Sequence, residues 1–183
     1  MPCFHGRPHA GVGCGRAGKD VGPASVRAGS VRRDRPWMAT VRATPKLTDA
    51  GDRWIVQLRG AKITACCFAF EVELHLTLED RLWTLQLAQP FVVVAPSGLE
   101  DVVVPEGEPA RLAPALRLVH QFVTDVFASK DGALELRCRD GTRLQVPAGE
   151  AFEAWTMTGP DGVRLVSLPG GQLAIWGSTP DPP

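Results

Sequence analysis

The chain has 183 residues, 44% of them hydrophobic, and its twenty basic and twenty acidic side chains cancel to a net charge of zero. That length suits one domain with a sizeable core. The balance argues against a dedicated nucleic-acid binder, which needs a basic face to release counterions, and no apolar run approaches the roughly 18–20 residues of a membrane-spanning helix.

Tyr and Asn are absent, which removes both as acids, oxyanion donors or metal ligands. The five cysteines (Cys3, Cys14, Cys66, Cys67 and Cys138) are odd in number and irregular in spacing, so they do not read as a disulfide framework. The N-terminal stretch has no contiguous apolar segment of the kind a secretory signal needs. A reduced, cytoplasmic protein is expected.

In chain order, residues 1–37 come first, Gly-, Arg- and Pro-rich, with seven Arg or Lys against two Asp and no periodicity. Such a segment cannot bury enough apolar surface to offset its ordering entropy. It reads as a disordered basic head, or as sequence ahead of a true start at Met38. Residues 38–52 read as a linker, 53–177 as a single mainly-β domain, and 178–183 as a frayed tail.

Trp54 to Leu58 reads as a short strand closed by Arg59-Gly60, and Lys62 to Phe70 as the next. Val72, Leu74, Leu76 and Leu78 then alternate with Glu71, Glu73, His75, Thr77 and Glu79. A period of two marks a strand with one buried and one wet face. Glu79-Asp80 makes the turn, and Leu82 to Leu87 returns with Trp83, Leu85 and Leu87 on one side. Phe91 to Val94 lacks alternation, as a strand covered on both faces would. One helix is expected within Glu108 to Gln121, where Leu112, Leu116 and Val119 follow helical spacing with Ala115 alongside. Pro109 and Pro114 restrict where it starts.

Further strands follow at Phe122–Ala128, Leu134–Arg139 and Thr142–Val146. Asp140-Gly141 is read as a type I′ hairpin turn, which needs positive φ. Pro160-Asp161-Gly162 and Gly170-Gly171 mark two more hairpins, and Trp155 and Trp176 are expected to share one core cluster.

The candidate chemistry is sparse. Cys3, His5, His9 and Cys14 supply four soft ligands of the type zinc takes, but their Gly-rich surroundings offer no scaffold. His75 stands two residues from Glu73 and Thr77 on one strand face, where a carboxylate partner can make a general base; a solvated strand histidine is the plainer reading. His120 suits a helix C-terminus, where a cation meets the dipole. Cys66, Cys67 and Cys138 have no motif that would lower a thiol pKa, and Ser167 reads as an ordinary strand serine. Glu71, Glu73, Glu79, Asp80, Glu100, Asp101, Glu106 and Glu108 crowd one stretch and form either a solvated face or an acidic surface for a basic partner.

Several motifs resemble those of a family of small actinobacterial proteins of unknown function. They are E-A-W-x-x-T-G-P-x-G (Glu153, Ala154, Trp155, Thr158, Gly159, Pro160, Gly162) and L-P-G-G-x-L-A-x-W (Leu168, Pro169, Gly170, Gly171, Leu173, Ala174, Trp176). The resemblance covers roughly Trp54 to Trp176. Leu58-Arg59-Gly60, Ala113-Pro114-Ala115-Leu116 and Asp140-Gly141-Thr142 also fit it. It implies no catalytic residue, since the motifs are turns and aromatics.

The fold expected is mainly β (α+β), an antiparallel meandering sheet or partial sandwich of roughly 8–10 strands with one short helix. The function expected is a non-catalytic binding or interaction protein, immunity-like or accessory, with a protein partner and neither nucleic acid nor membrane. The alternatives are a small-ligand module with an apolar pocket beneath the helix, and a hydrolase-type enzyme. No catalytic, cofactor-binding or metal-binding residue and no cofactor is assigned.

Overall fold

The computed structural model describes residues 47–177. The head 1–37, with its candidate ligands Cys3, His5, His9 and Cys14, and the tail 178–183 lie outside those residues. In chain order the strands are β1 (Leu47–Asp49), β2 (Arg53–Val56), β3 (Lys62–Phe68), β4 (Val72–Leu78), β5 (Arg81–Leu87), β6 (Phe91–Val94) and β7 (Glu100–Val103). After a 3-10 helix at Pro109–Leu118 come β8 (Val123–Ser129), β9 (Leu134–Cys138), β10 (Arg143–Val146), β11 (Trp155–Thr158), β12 (Arg164–Ser167) and β13 (Leu173–Trp176).

These strands make two antiparallel sheets. One has seven strands in the order β1-β2-β8-β9-β10-β6-β7, the other six in the order β13-β12-β11-β5-β4-β3. The mainly-β class follows the sequence reading. The strand number exceeds the expected range because several strands are only three or four residues long. β1 is the clearest case. It lies within the stretch read as linker, yet it pairs with β2 through Leu47–Val56 and Asp49–Trp54, and Leu47 is buried. Three residues carry no readable period.

Alternation works as the sequence implied. Val72, Leu74 and Leu76 of β4 and Trp83, Leu85 and Leu87 of β5 face inward, against Leu134, Leu136 and Leu144 of the first sheet in one core cluster. β4 and β5 join through Glu79 (φ 48) and Asp80 (φ 62), with Leu78 opposite Arg81. Positive φ at both central residues is the type I′ geometry. Asp140-Gly141 departs from that expectation, since only Gly141 takes positive φ, at 94. Asp140 instead accepts hydrogen bonds from the Thr142 N–H at 2.9 Å and the Thr142 hydroxyl at 2.8 Å. The loop there has three residues with a terminal glycine, a longer hairpin class.

The expected helix also takes another form. Pro109 and Pro114 remove two amide donors within six residues, so no continuous α-helical ladder can form, and the segment closes as 3-10 turns. Its buried residues are Leu112, Ala115 and Leu118, spaced by three as this tighter helix requires. Leu116, expected inside, is 51% exposed.

The two sheets are tied at their hairpin tips. The Gly132 carbonyl, at the β8–β9 turn, accepts hydrogen bonds from Trp155 Nε1 and Ser167 Oγ, both at 2.8 Å. Ser167, read as an ordinary strand serine, is therefore a buried cross-sheet donor. Trp155 is buried, but Trp176 is 52% exposed. The shared Trp cluster does not form, because Trp176 pairs with Arg164 and both project from the outer face of their sheet. Trp83 Nε1 is buried with no hydrogen-bond partner among the described residues.

Candidate functional site

β3 is an edge strand, and at its far end Phe68, Ala69 and Phe70 run into the turn toward β4. Phe68 pairs with Val72, and the Ala69 N–H donates to the Glu71 carbonyl at 3.0 Å. The turn is thus closed by backbone hydrogen bonding while its side chains are apolar. Phe70 is 88% exposed. A turn composed this way leaves a large aromatic ring in water, and it becomes informative where other exposed apolar side chains adjoin it.

The 3-10 helix packs beside this turn. Between them lies an open hollow of about 660 Å³ lined by Phe68, Phe70, Leu112, Leu116, Pro105 and Pro109 among others. A second hollow of about 480 Å³ adjoins it through Pro105 and Glu106 and adds Pro90, Val104 and Phe152. Phe152 is 70% exposed, and Phe68 and Val104 are exposed as well. Five of the exposed large apolar side chains therefore gather at one end of the sandwich. Only Glu106 among the lining residues is charged. Glu108 precedes the lining residue Pro109 at the start of the 3-10 helix, and Arg111 follows on the same segment, whereas the Glu71 carboxylate joins Gln86 and Glu73 in one network. Between residues 47 and 177 seventeen acidic side chains stand against eleven basic ones.

Sequence reasoning missed this site. The available signal was Phe68-Ala69-Phe70, an apolar run where a turn should be polar. Leu116 was hidden because α-helical spacing placed it in the core.

The residues singled out from sequence are found elsewhere. His75 Nε2 lies 2.6 Å from Glu73 Oε1, so that pair forms. It sits half-buried on the outer face of the second sheet, with Ala65 and Thr84 as cross-strand neighbours. Gln86 Nε2 donates to Glu71 at 2.8 Å and to Glu73 at 3.3 Å, which ties the carboxylates into one network. Cys67 is exposed opposite Glu73. Burial pushes the Cys66 thiol up to about 11 and the Cys138 thiol up to about 12, the wrong direction for a nucleophile. His120 is exposed at φ 70, and its backbone N–H donates to the Ile63 carbonyl at 2.7 Å. Asp101 pairs with Arg117 of the 3-10 helix. Among the described residues no group of three or more His, Cys, Asp or Glu is placed to hold a metal ion, and no helix is long and apolar enough to cross a membrane.

The model of a family of unknown function, DUF6188, matches residues 54–177. No curated protein and no solved structure matches the chain significantly.

Proposed function

We propose that this chain, which belongs to the DUF6188 family of unknown function, is a non-catalytic binding protein that takes a segment of another protein at its apolar end. The observation that carries the reading is the gathering of Phe68, Phe70, Val104, Leu116 and Phe152, all exposed, around two adjoining hollows. Contiguous apolar surface rimmed by polar residues is the mark of an interaction site. Glu106, the one charged residue among the lining, and Glu108 beside Pro109 favour a partner with basic residues flanking its apolar anchors.

A free small molecule fits less well. Small-ligand sites bury most of the ligand's surface, whereas both hollows are open to solvent, the first along the 3-10 helix. The Glu73–His75 pair lies on the outer face of the second sheet and lines neither hollow, so it adds nothing to the apolar-end reading. An immunity-like or accessory role in the cytoplasm is compatible with the free Cys66, Cys67 and Cys138.

A photocrosslinking amino acid at position 70, with one at the exposed Leu82 as control, tests the proposal. A single adduct from position 70 should be identified, and the purified partner should bind the wild-type protein one to one. Leu116→Ser should weaken that binding at least tenfold and Leu82→Ser should not. Equal labelling from both positions, or indifference to Leu116→Ser, overturns the reading.

A further inference from the structure

The apolar end lies beside an unusual stretch of sheet edge. At its start β3 is tied down on the side away from β4. The Ile63 N–H donates to the Gln121 carbonyl at 2.9 Å, the His120 N–H donates back to Ile63, and Lys62 bridges Phe122. A register shift between Ile63 and Ala65 then breaks the run. From Ala65 to Phe68 no described segment pairs with the strand on that side.

Exposed edges are normally protected by charge, proline, bulges or shortness. Among the other edge strands, β1 has three residues and carries Asp49, and β7 carries Glu100 and Asp101, while β13 is as short and uncharged as the free run of β3 but has no hollow beside it among those described. Beyond its bulge, β3 offers Ala65-Cys66-Cys67-Phe68, uncharged and without proline. It ends at the hollow.

We propose that the partner segment binds as an added antiparallel strand on the Ala65–Phe68 edge, with alternate aliphatic and basic residues. The proposal rests on the apolar end being the binding site and specifies the form its occupant takes. The register of β3 sets the alternation. Cys66 and Phe68 lie opposite Leu74 and Val72 on the core side, whereas Ala65 and Cys67 lie opposite His75 and Glu73 on the outer side. Residues of an added strand on the core side enter the hollow between Phe68 and Leu116. Those on the outer side face His75 and Glu73 across β3, two strand spacings or about 9.6 Å away. The small Ala65 and Cys67 leave space for a Lys or Arg stem to cross it.

Charge disfavours two other occupants. A second copy pairing edge to edge would offer Ala65–Phe68 itself, an uncharged run with no cation to meet Glu73. An anionic lipid surface would meet the Glu73 carboxylate and Glu106.

The test uses the full chain and an acetylated, amidated peptide of alternating Lys and Val, seven residues long, read by calorimetry and by amide exchange. Binding should protect β3-edge amides between Ala65 and Phe68. A peptide with Glu in place of Lys, and one N-methylated at the amides along one edge, should each bind at least tenfold more weakly. Cys67→Lys, at an exposed position, should weaken the Lys peptide at least tenfold while leaving Tm within a few degrees. No binding of the Lys–Val peptide at millimolar concentration overturns the proposal. So does equal affinity for the N-methylated form, although Leu116→Ser weakening both peptides alike would leave the apolar-end reading standing. Indifference of every peptide to Leu116→Ser would remove that reading too. A dimer in sedimentation that the peptide dissociates, or flotation with anionic vesicles that the peptide blocks, would assign the edge to a second copy or to lipid and overturn the proposal.

Discussion

Replacing Gly132 by Ala perturbs the joint between the two sheets. Gly132 has φ +89, and a β-carbon there would sit 2.8 Å from the Gly171 carbonyl oxygen and 2.8 Å from Ser167 Oγ. Neither neighbour is free to move. Ser167 Oγ is held by its bond to the Gly132 carbonyl, and Gly171 packs so closely that its own β-carbon would lie 2.5 Å from the Asp131 carbonyl oxygen. The backbone conformation alone costs a non-glycine residue about 1–2 kcal/mol. Forcing a methyl into a filled site adds about 1–3 kcal/mol, for about 2–5 kcal/mol in all. Gly60 is the matched control, with φ +87 and nothing within 4 Å of its added β-carbon. Gly60→Ala should lose only the conformational part, about 1–2 kcal/mol. Urea unfolding of both variants, compared at constant m-value, reads the difference. The gap corresponds to about 3–5 °C in Tm for each kcal/mol. Equal losses would refute close packing between the β8–β9 and β12–β13 tips.

Trp155→Phe should destabilise more than Trp83→Phe by roughly 1–2 kcal/mol, since the first removes a bond to Gly132 and the second removes an unpartnered buried N–H; a larger loss for Trp83→Phe in chemical denaturation would count against this. Trp155→Phe and Ser167→Ala together should lose more than the sum of the single changes, because the Gly132 carbonyl then has neither donor, and a double-mutant cycle measures the excess. Trp176→Ala should cost under about 1 kcal/mol and Trp155→Ala about 3–5 kcal/mol, as their exposures imply; similar melting shifts would contradict the placement of Trp176. Folding raises the Cys66 and Cys138 thiols from 9.0 to about 11 and about 12, so their contribution is full below pH 9 and falls as pH climbs through those values. Cys138→Ala should therefore flatten the alkaline decline in stability, and peptide mapping after brief alkylation at pH 8 should find Cys67 modified before Cys138.

Local pattern made much of the fold legible. The β4–β5 hairpin was readable because Val72, Leu74 and Leu76 alternate strictly with polar residues, and the C-terminal hairpins because Pro160-Asp161-Gly162 and Gly170-Gly171 punctuate them. Which strands become neighbours was not readable. β8 lies between β2 and β9, and β11 lies beside β5, pairings that join segments far apart in the chain and depend on core shape rather than on any local period. The site was less legible still. It is assembled from a turn after β3, the segment before and within the 3-10 helix, and Phe152, and no one of these is distinctive alone. His75 and Glu73 were readable as a pair because they share a strand face, but proximity within one strand does not make a pocket.

The prolines of the 3-10 helix have a consequence for how the molecule could be improved or spoiled. Three residues per turn advance each side chain by about 120°, so Leu116 lies about 120° around the axis from Leu112 and projects away from the core. An α-helix advances about 100° per residue, which would bring Leu116 within about 40° of Leu112 and turn it inward. Replacing Pro109 and Pro114 with Ala restores the missing amide donors and favours that rewinding. The result would be a helix with better hydrogen bonding and a hollow stripped of one wall. Strengthening the local backbone and keeping the binding surface are thus opposed here, and the two prolines hold the segment on the side of the surface.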